Sequence, residues 1–449
     1  MITGSESRPS VKTPIPGPKA QKIIEKDTQF IATTTKTSPV AGKRGMGTVV
    51  EDVDGNVLLD FTAGIGVLNL GHSHPAVVAA IREQAGELIH FAGTDFYYDV
   101  QATFAERLAK ATPGGPDKKI FYTQSGAESI EAAIKVVKWS TQRNQFLAFL
   151  GAFHGRTHGA GALTASKTVQ RGRFFPMMPG VHHIPFPNPY RNVWGIDGYE
   201  DPEELSSRAI GYLEDHVFQT VLPPEECGAV FAEPIQGEGG YVVPPPGYYK
   251  RLKKLCESHG ILFAADEVQS GFGRTGTMFA IEQEGIAPDL LCMAKGIANG
   301  LPLGAVAFSK ELDFGVQGAH SNTYGGNVLT CRAGLAVLDV LETTDVLKNC
   351  QARGADLRRR LHELQEVTPA IGDVRGKGLM LCADFVEDRK TKAPAKRMRG
   401  KIVEEAYKRG LLLLPCGPSG IRFIPPLTVS AAQVDGAIAV FKEAVKAVS

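Results

Sequence analysis

Lys295 ends the apolar run of LLCMAKGIANGLPLGA and is followed at once by Gly296. A lysine held among apolar residues loses part of its preference for the charged form, and only the neutral amine attacks an aldehyde. Lys295 is therefore a Schiff-base candidate, although a lysine at a strand end is more often a surface residue. Upstream, ILFAADE delivers Asp266 at the end of a strand-like run, followed by Glu267, Val268 and Gln269. A carboxylate set against a pyridine nitrogen keeps that ring protonated and turns it into an electron sink. Asp266 fits that role, with a helix-capping aspartate as the alternative.

A phosphate needs a cradle, and TQSGAESIEAAIKVVKW supplies one. Ser125, Gly126 and Ala127 open a helix whose apolar positions Ile130, Ile134 and Val137 recur at helical spacing. Unpaired N–H groups at a helix start bind phosphate, and a glycine there permits close approach. The same residues also suit a helix that caps only itself. AVFAEPIQGEGGYVV places Glu233 at a strand end and Glu238 on a glycine-rich turn, two acids and a glutamine on one stretch. In AFHGRTHG, Phe153 and His154 could stack on an aromatic ring and Arg156 could fork onto a carboxylate. Their alternatives are a core aromatic, a satisfied histidine and a surface ion pair. His72 with His74, and His182 with His183, resemble metal-ligand pairs, but the sequence offers no third or fourth ligand, and no metal is expected.

The elements that must hold these residues alternate helical patterns with short apolar runs: KIFYT, FLAFL, AVFAEP and ILFAADE. Such runs indicate a largely parallel sheet covered on both faces, with ligands at the carboxyl ends of its strands. The chain has 449 residues, too many for one ordinary compact domain. Residues 1–20, rich in Ser, Pro, Lys and Gly, read as a flexible arm or as a strap across a partner subunit. Residues 21–75 form the amino-terminal part of a small domain, with a hairpin turning at Asp54 and Gly55. Residues 76–337 form the large domain, and 338–449 return to the small α+β domain, with GKGLMLCADF as a strand.

Lysine plus arginine number 49 against 48 acidic residues, so no net positive field exists to hold nucleic acid or an anionic membrane. The seven cysteines lack close paired spacing, which fits a reducing cytoplasm. MITGSESRPS does not read as a signal peptide, and no apolar run reaches the length of a membrane span.

The segments SGAES, FHGRTHG, EPIQGEGG, DEVQSGFGRTG, AKGIANGLPLGA, TYGGN and IRFIPPL occur in the order and approximate spacing of the class III (ω-) aminotransferases, and the chain resembles that family from about Gly47 onward. The resemblance implies a fold-type I α/β transferase that uses pyridoxal 5'-phosphate and assembles as a homodimer, with active sites at the subunit interface. It assigns the cofactor's aldehyde to Lys295, its ring nitrogen to Asp266 and the region of its phenolic oxygen to Gln269. Ser125, Gly126 and Ala127 would hold the phosphate, joined by Thr323 of the partner subunit, with Phe153 stacked on the ring and His154 beside it. FHGRTHG and the second glutamate of EPIQGEGG look most like the 4-aminobutyrate branch. There Arg156 matches the arginine for the distal carboxylate, Glu238 matches a gate that pairs with Arg422, and Ile65 belongs to the substrate-binding set.

Two departures stand out: Val328 follows TYGGN where proline is usual, and Ser129 ends SGAES where alanine is common. The loop FAGTDFYYDVQ does not align cleanly, which leaves the roles of Thr94, Asp95 and Tyr97 open. The implied reaction moves an amino group from an ω-amino acid such as 4-aminobutyrate or ornithine to 2-oxoglutarate. Racemisation of an amino acid is the alternative on the same fold, with Glu238 as the second acid.

Overall fold

The computed structural model describes residues 2–448. The chain divides into two compact units, Met1–Pro75 with Asp345–Ser449, and Ala76–Thr344. The helix Val328–Thr343 stays whole in the second unit, so the division falls at Asp345 and not within that helix at residue 338.

The first unit joins both ends of the chain. The strands Val49–Asp52 and Val57–Asp60 pair antiparallel around Asp54 and Gly55, and Leu411–Leu412 adds in parallel to Val57–Asp60. The amino-terminal residues are packed here. Ser10 bridges to Val57, and Asn56 Oδ1 accepts the N–H groups of Lys12 at 2.7 Å and Thr13 at 3.0 Å. The second sheet of this unit is antiparallel, with Ile371–Lys377, Met380–Asp388, Gly420–Phe423 and Leu414–Cys416 in that order. GKGLMLCADF is thus two strands and not one: the chain reverses between Lys377 and Met380, and their pairing aligns Val374 with Ala383.

The second unit is built on a seven-stranded sheet. All four apolar runs become strands in it: Lys118–Thr123, Gln145–Phe149, Cys227–Ala232 and Leu262–Asp266. Val181–Ile184, Leu290–Met293 and Gly304–Ser309 complete it. Gly304–Ser309 runs antiparallel to both of its neighbours, so Lys118–Thr123 points the same way as the parallel strands. Six carboxyl ends therefore share one edge. Ile130, Ile134 and Val137 of the helix Gly126–Thr141 bury against Phe146, Phe231, Leu290 and Val306 of the sheet. Each such side chain contributes about 1.5–3 kcal/mol when fully buried, which fixes where that helix begins over the sheet edge. Among the described residues, no helix is long and apolar enough to cross a membrane.

Candidate active site

Strand register brings the two residues of greatest interest to one edge. Asp266 pairs with Cys292 across the parallel strands, and the N–H of Glu267 donates to Cys292 O at 3.0 Å. Lys295 follows three residues beyond Cys292. It holds φ at 48°, a left-handed conformation that disfavours any residue with a Cβ. Such strain costs on the order of 1–3 kcal/mol and gathers at functional sites. Lys295 opens the short 3-10 turn Lys295–Ala298.

The acid is held in place from both sides. Asp266 Oδ1 accepts the Val268 N–H at 3.0 Å, and Oδ2 lies 2.7 Å from His154 Nδ1. His154 is itself fixed by its backbone, whose N–H donates to Thr164 Oγ1 at 2.9 Å. Burial alone would favour the neutral imidazole of His154, but the hydrogen bond and charge of Asp266, with the charge of Glu233 behind it, raise its pKa overall. His154 Nε2 is buried with no hydrogen-bond partner.

Ser125 caps the helix Gly126–Thr141, its Oγ accepting from the Glu128 N–H at 3.3 Å. The N–H groups of the first turn have no intrahelical acceptor, which leaves those of Gly126 and Ala127 for an outside anion. A Cβ on Gly126 would lie 2.8 Å from Val268 Cγ1, so glycine is what lets the Asp266 loop pass this close. Gly155 (φ 145°) likewise brings the loop of Phe153 and His154 against Ala127, whose Cβ a Gly155 side chain would meet at 2.7 Å. Arg156, exposed, places its guanidinium 5.7 Å from the centre of the Phe153 ring. Gln269 runs beside Gly237, and its Oε1 is buried without a partner.

Ser129 is explained by its contacts. Its Oγ lies 2.8 Å from Thr123 Oγ1 and donates within reach of Met293 O at 2.9 Å, joining the cradle to the strand that leads to Lys295. Val328 opens its helix behind the Asn327 cap, a position where proline and valine both serve.

The sequence did not reveal Glu233's actual work. Its carboxylate is buried and accepts the N–H groups of Phe153 at 2.9 Å and Gly237 at 2.8 Å, tying two loops together. Burial lifts its carboxyl above the ordinary range, with the charge of His154 opposing and that of Asp266 adding. The glycine-rich stretch is accordingly anchored, for Gln236 Nε2 also donates to Leu150 O at 2.9 Å. A strand-end position like that of Asp266 was the available signal. Glu238 forms an ion pair with Lys167, a residue that no sequence motif singled out.

Thr323 is exposed, next to Asn322, which donates to Tyr122 O at 2.8 Å. Ile65, with φ 68°, and Arg422, buried on Gly420–Phe423 opposite Cys382, belong to the first unit. His182 and His183 are adjacent on a strand and so face opposite sides: one meets Gln145 Oε1 at 2.7 Å, the other Arg171 Nη1 at 3.0 Å. His72 is engaged by Asp60 at 2.7 Å. No cluster of three potential metal ligands occurs among the described residues.

The arrangement fits the pyridoxal 5'-phosphate that the resemblance implies. An acid and a histidine face each other at 2.7 Å, a buried amide oxygen and a buried ring nitrogen lack partners, and a glycine opens a helix start beside them. An anionic, hydroxylated pyridine with an aldehyde and a phosphate meets those groups.

The comparisons agree. Residues 30–445 match the model of the family described as Aminotransferase class-III. The chain is 41% identical to an alanine/serine racemase of Pyrococcus horikoshii, over 98% of this chain and 93% of that one. It is 37% identical to a 4-aminobutyrate aminotransferase of Mycobacterium leprae, over 96% of each. An amine transaminase from an uncultivated Pseudomonas species, solved in its PLP-bound internal aldimine form, superposes with a TM-score of 0.86 at 32% identity, covering 94% of this chain and 98% of that one. The chain therefore belongs to the class III aminotransferase family, has the fold-type I architecture, and takes pyridoxal 5'-phosphate as its cofactor.

Proposed function

We propose that this enzyme transfers an amino group from an ω-amino acid, such as 4-aminobutyrate or ornithine, to 2-oxoglutarate. The observation that carries the reading is the pair of ionic anchors in the loops beyond the sheet edge: the exposed Arg156 guanidinium beside Phe153, and the Glu238 carboxylate in its ion pair. Arg156 grips the carboxylate far from the reacting carbon. By the family resemblance, Arg422 matches the residue for the carboxylate next to that carbon, Glu238 matches its counter-charge, and Ile65 belongs to the substrate-binding set.

Bound pyridoxal 5'-phosphate supplies a ring that accepts the electron pair left when a C–H bond breaks. Asp266 holds the proton on the ring nitrogen, and His154 fixes the orientation of Asp266. Ser125, Gly126 and Ala127 would hold the phosphate with Thr323 of the partner subunit, Phe153 would cover the ring, and Gln269 would meet its phenolic oxygen. Lys295 carries the cofactor and, once displaced, its Nζ takes the proton from the amino-bearing carbon of the substrate. In the balance, the donor leaves as an aldehyde and 2-oxoglutarate leaves as glutamate. The working form is a homodimer, and its place is the reducing cytoplasm, with which the seven free thiols are consistent.

Racemisation is the second reading, favoured by the likeness to the Pyrococcus horikoshii racemase. It requires Glu238 to protonate the face opposite Lys295. A panel of amino donors with 2-oxoglutarate, each mixture followed by chiral analysis, separates the two. Glutamate formed in step with aldehyde is expected. Formation of a D-amino acid from its L-isomer without any oxo acid would overturn transamination.

A further inference from the structure

Lys167 carries no chemistry that its sequence neighbourhood announces, yet its ammonium meets the Glu238 carboxylate directly. The contact is delivered by backbone. Ala165, two residues earlier, donates to Ala152 O at 2.8 Å and accepts from the Gly151 N–H at 3.1 Å. Leu150 O accepts from Gln236, whose own backbone pairs with Val242. Three segments are thus laced together at the carboxyl ends of neighbouring strands, with the ion pair beyond the lacing. The Glu238 side chain is 19% exposed, so a lone charge there would lose most of its hydration, whereas the Lys167 side chain is 38% exposed and keeps more water.

We propose that Lys167 is a positioning residue that holds the Glu238 carboxylate whenever a substrate carboxylate occupies the cation Glu238 otherwise neutralises, and so sets how readily α-amino and α-oxo acids are admitted. The proposal rests on the gate reading of Glu238 given above. A gate that swings away from one cation leaves a largely buried charge bare, and removing one partner of such a pair is the costly step. Lys167 removes that cost by offering a second cation. A flexible four-carbon stem with a compact charge suits a partner that must follow a moving carboxylate. Substrates with only a distal carboxylate do not displace Glu238, so the effect falls on one half of the reaction.

The test compares the holoenzyme with Lys167→Met and Lys167→Arg, following each half-reaction separately by cofactor absorbance and measuring binding of glutarate by calorimetry. In Lys167→Met the KM for 2-oxoglutarate is expected to rise at least about tenfold, and the 4-aminobutyrate half-reaction to stay within about twofold. Glutarate binding should weaken by at least about tenfold, and Lys167→Arg should restore both to within about threefold. Equal losses in both half-reactions, an unchanged KM for 2-oxoglutarate, or no rescue by arginine overturns the proposal. If the wild-type enzyme moves no amino group to 2-oxoglutarate, the transaminase reading fails on its own. Glutarate binding then decides for Lys167: a loss in Lys167→Met restored by arginine supports it, and equal binding or none to the wild type overturns it.

Discussion

Replacing Glu267 with glutamine isolates the cost of a buried charge next to Asp266. Glu267 is fully buried; its Oε1 accepts the Ile281 N–H at 2.7 Å and its Oε2 accepts the Ser270 hydroxyl. Burial pushes its carboxyl up from 4.5 to about 7, against the hydrogen bonds from Ser270 and the backbone of Ile281 and Ala280. The folded state therefore binds a proton more tightly than the unfolded chain. The stability this contributes is complete below about pH 4.5 and is lost as pH rises through about 7. A shift of that size corresponds to about 3 kcal/mol. Glutamine keeps the acceptor for Ile281 and can donate to Ser270 Oγ, at a pH-independent cost of about 1 kcal/mol. Both tryptophans, Trp139 and Trp194, lie in the second unit with Glu267, so their fluorescence reports its unfolding. Denaturant midpoints of Glu267→Gln and wild type should be close at pH 5, with the variant gaining by about 2–3 kcal/mol at pH 8. A difference between the two proteins that stays constant from pH 5 to 8 would refute the reasoning.

Asp266→Asn removes the carboxylate that raises the His154 pKa, so the histidine titration followed by NMR should move down, with turnover falling by about 10²–10³-fold; an unmoved histidine contradicts the pairing. Gly126→Ala would press a methyl group to 2.8 Å from Val268 Cγ1. The strain, about 1–3 kcal/mol, should appear as cofactor lost on dialysis, read from the absorbance that remains. Val328→Pro at the first position of its helix should stabilise the protein by about 0.4–1 kcal/mol, checked by the thermal midpoint, because proline restricts the unfolded chain and gives up an N–H with no helical acceptor.

Much of the second unit was legible before any coordinates. KIFYT, FLAFL, AVFAEP and ILFAADE became strands because continuous apolar runs of strand length bury both faces of a sheet. VHHI was hidden: two adjacent histidines look like a ligand pair, and only its parallel partner Gln145–Phe149 makes it a strand. GKGLMLCADF read as one strand because the turn between Lys377 and Met380 carries no polar break. The division at Asp345 was hidden too, since helix periodicity runs on through residue 338.

The order of motifs along the chain was sufficient to name the cofactor through its resemblance to the class III aminotransferases, with Lys295, Asp266, Gly126 and His154 at the matching positions. What they could not carry was distance between segments far apart in sequence. Asp266 reaches His154 across 112 positions and Glu238 reaches Lys167 across 71. Glu233 turned out to be a fastener of two loops. Local sequence encodes what a side chain is able to do, while its charge state and its partner follow from burial and from neighbours that only the folded chain assembles.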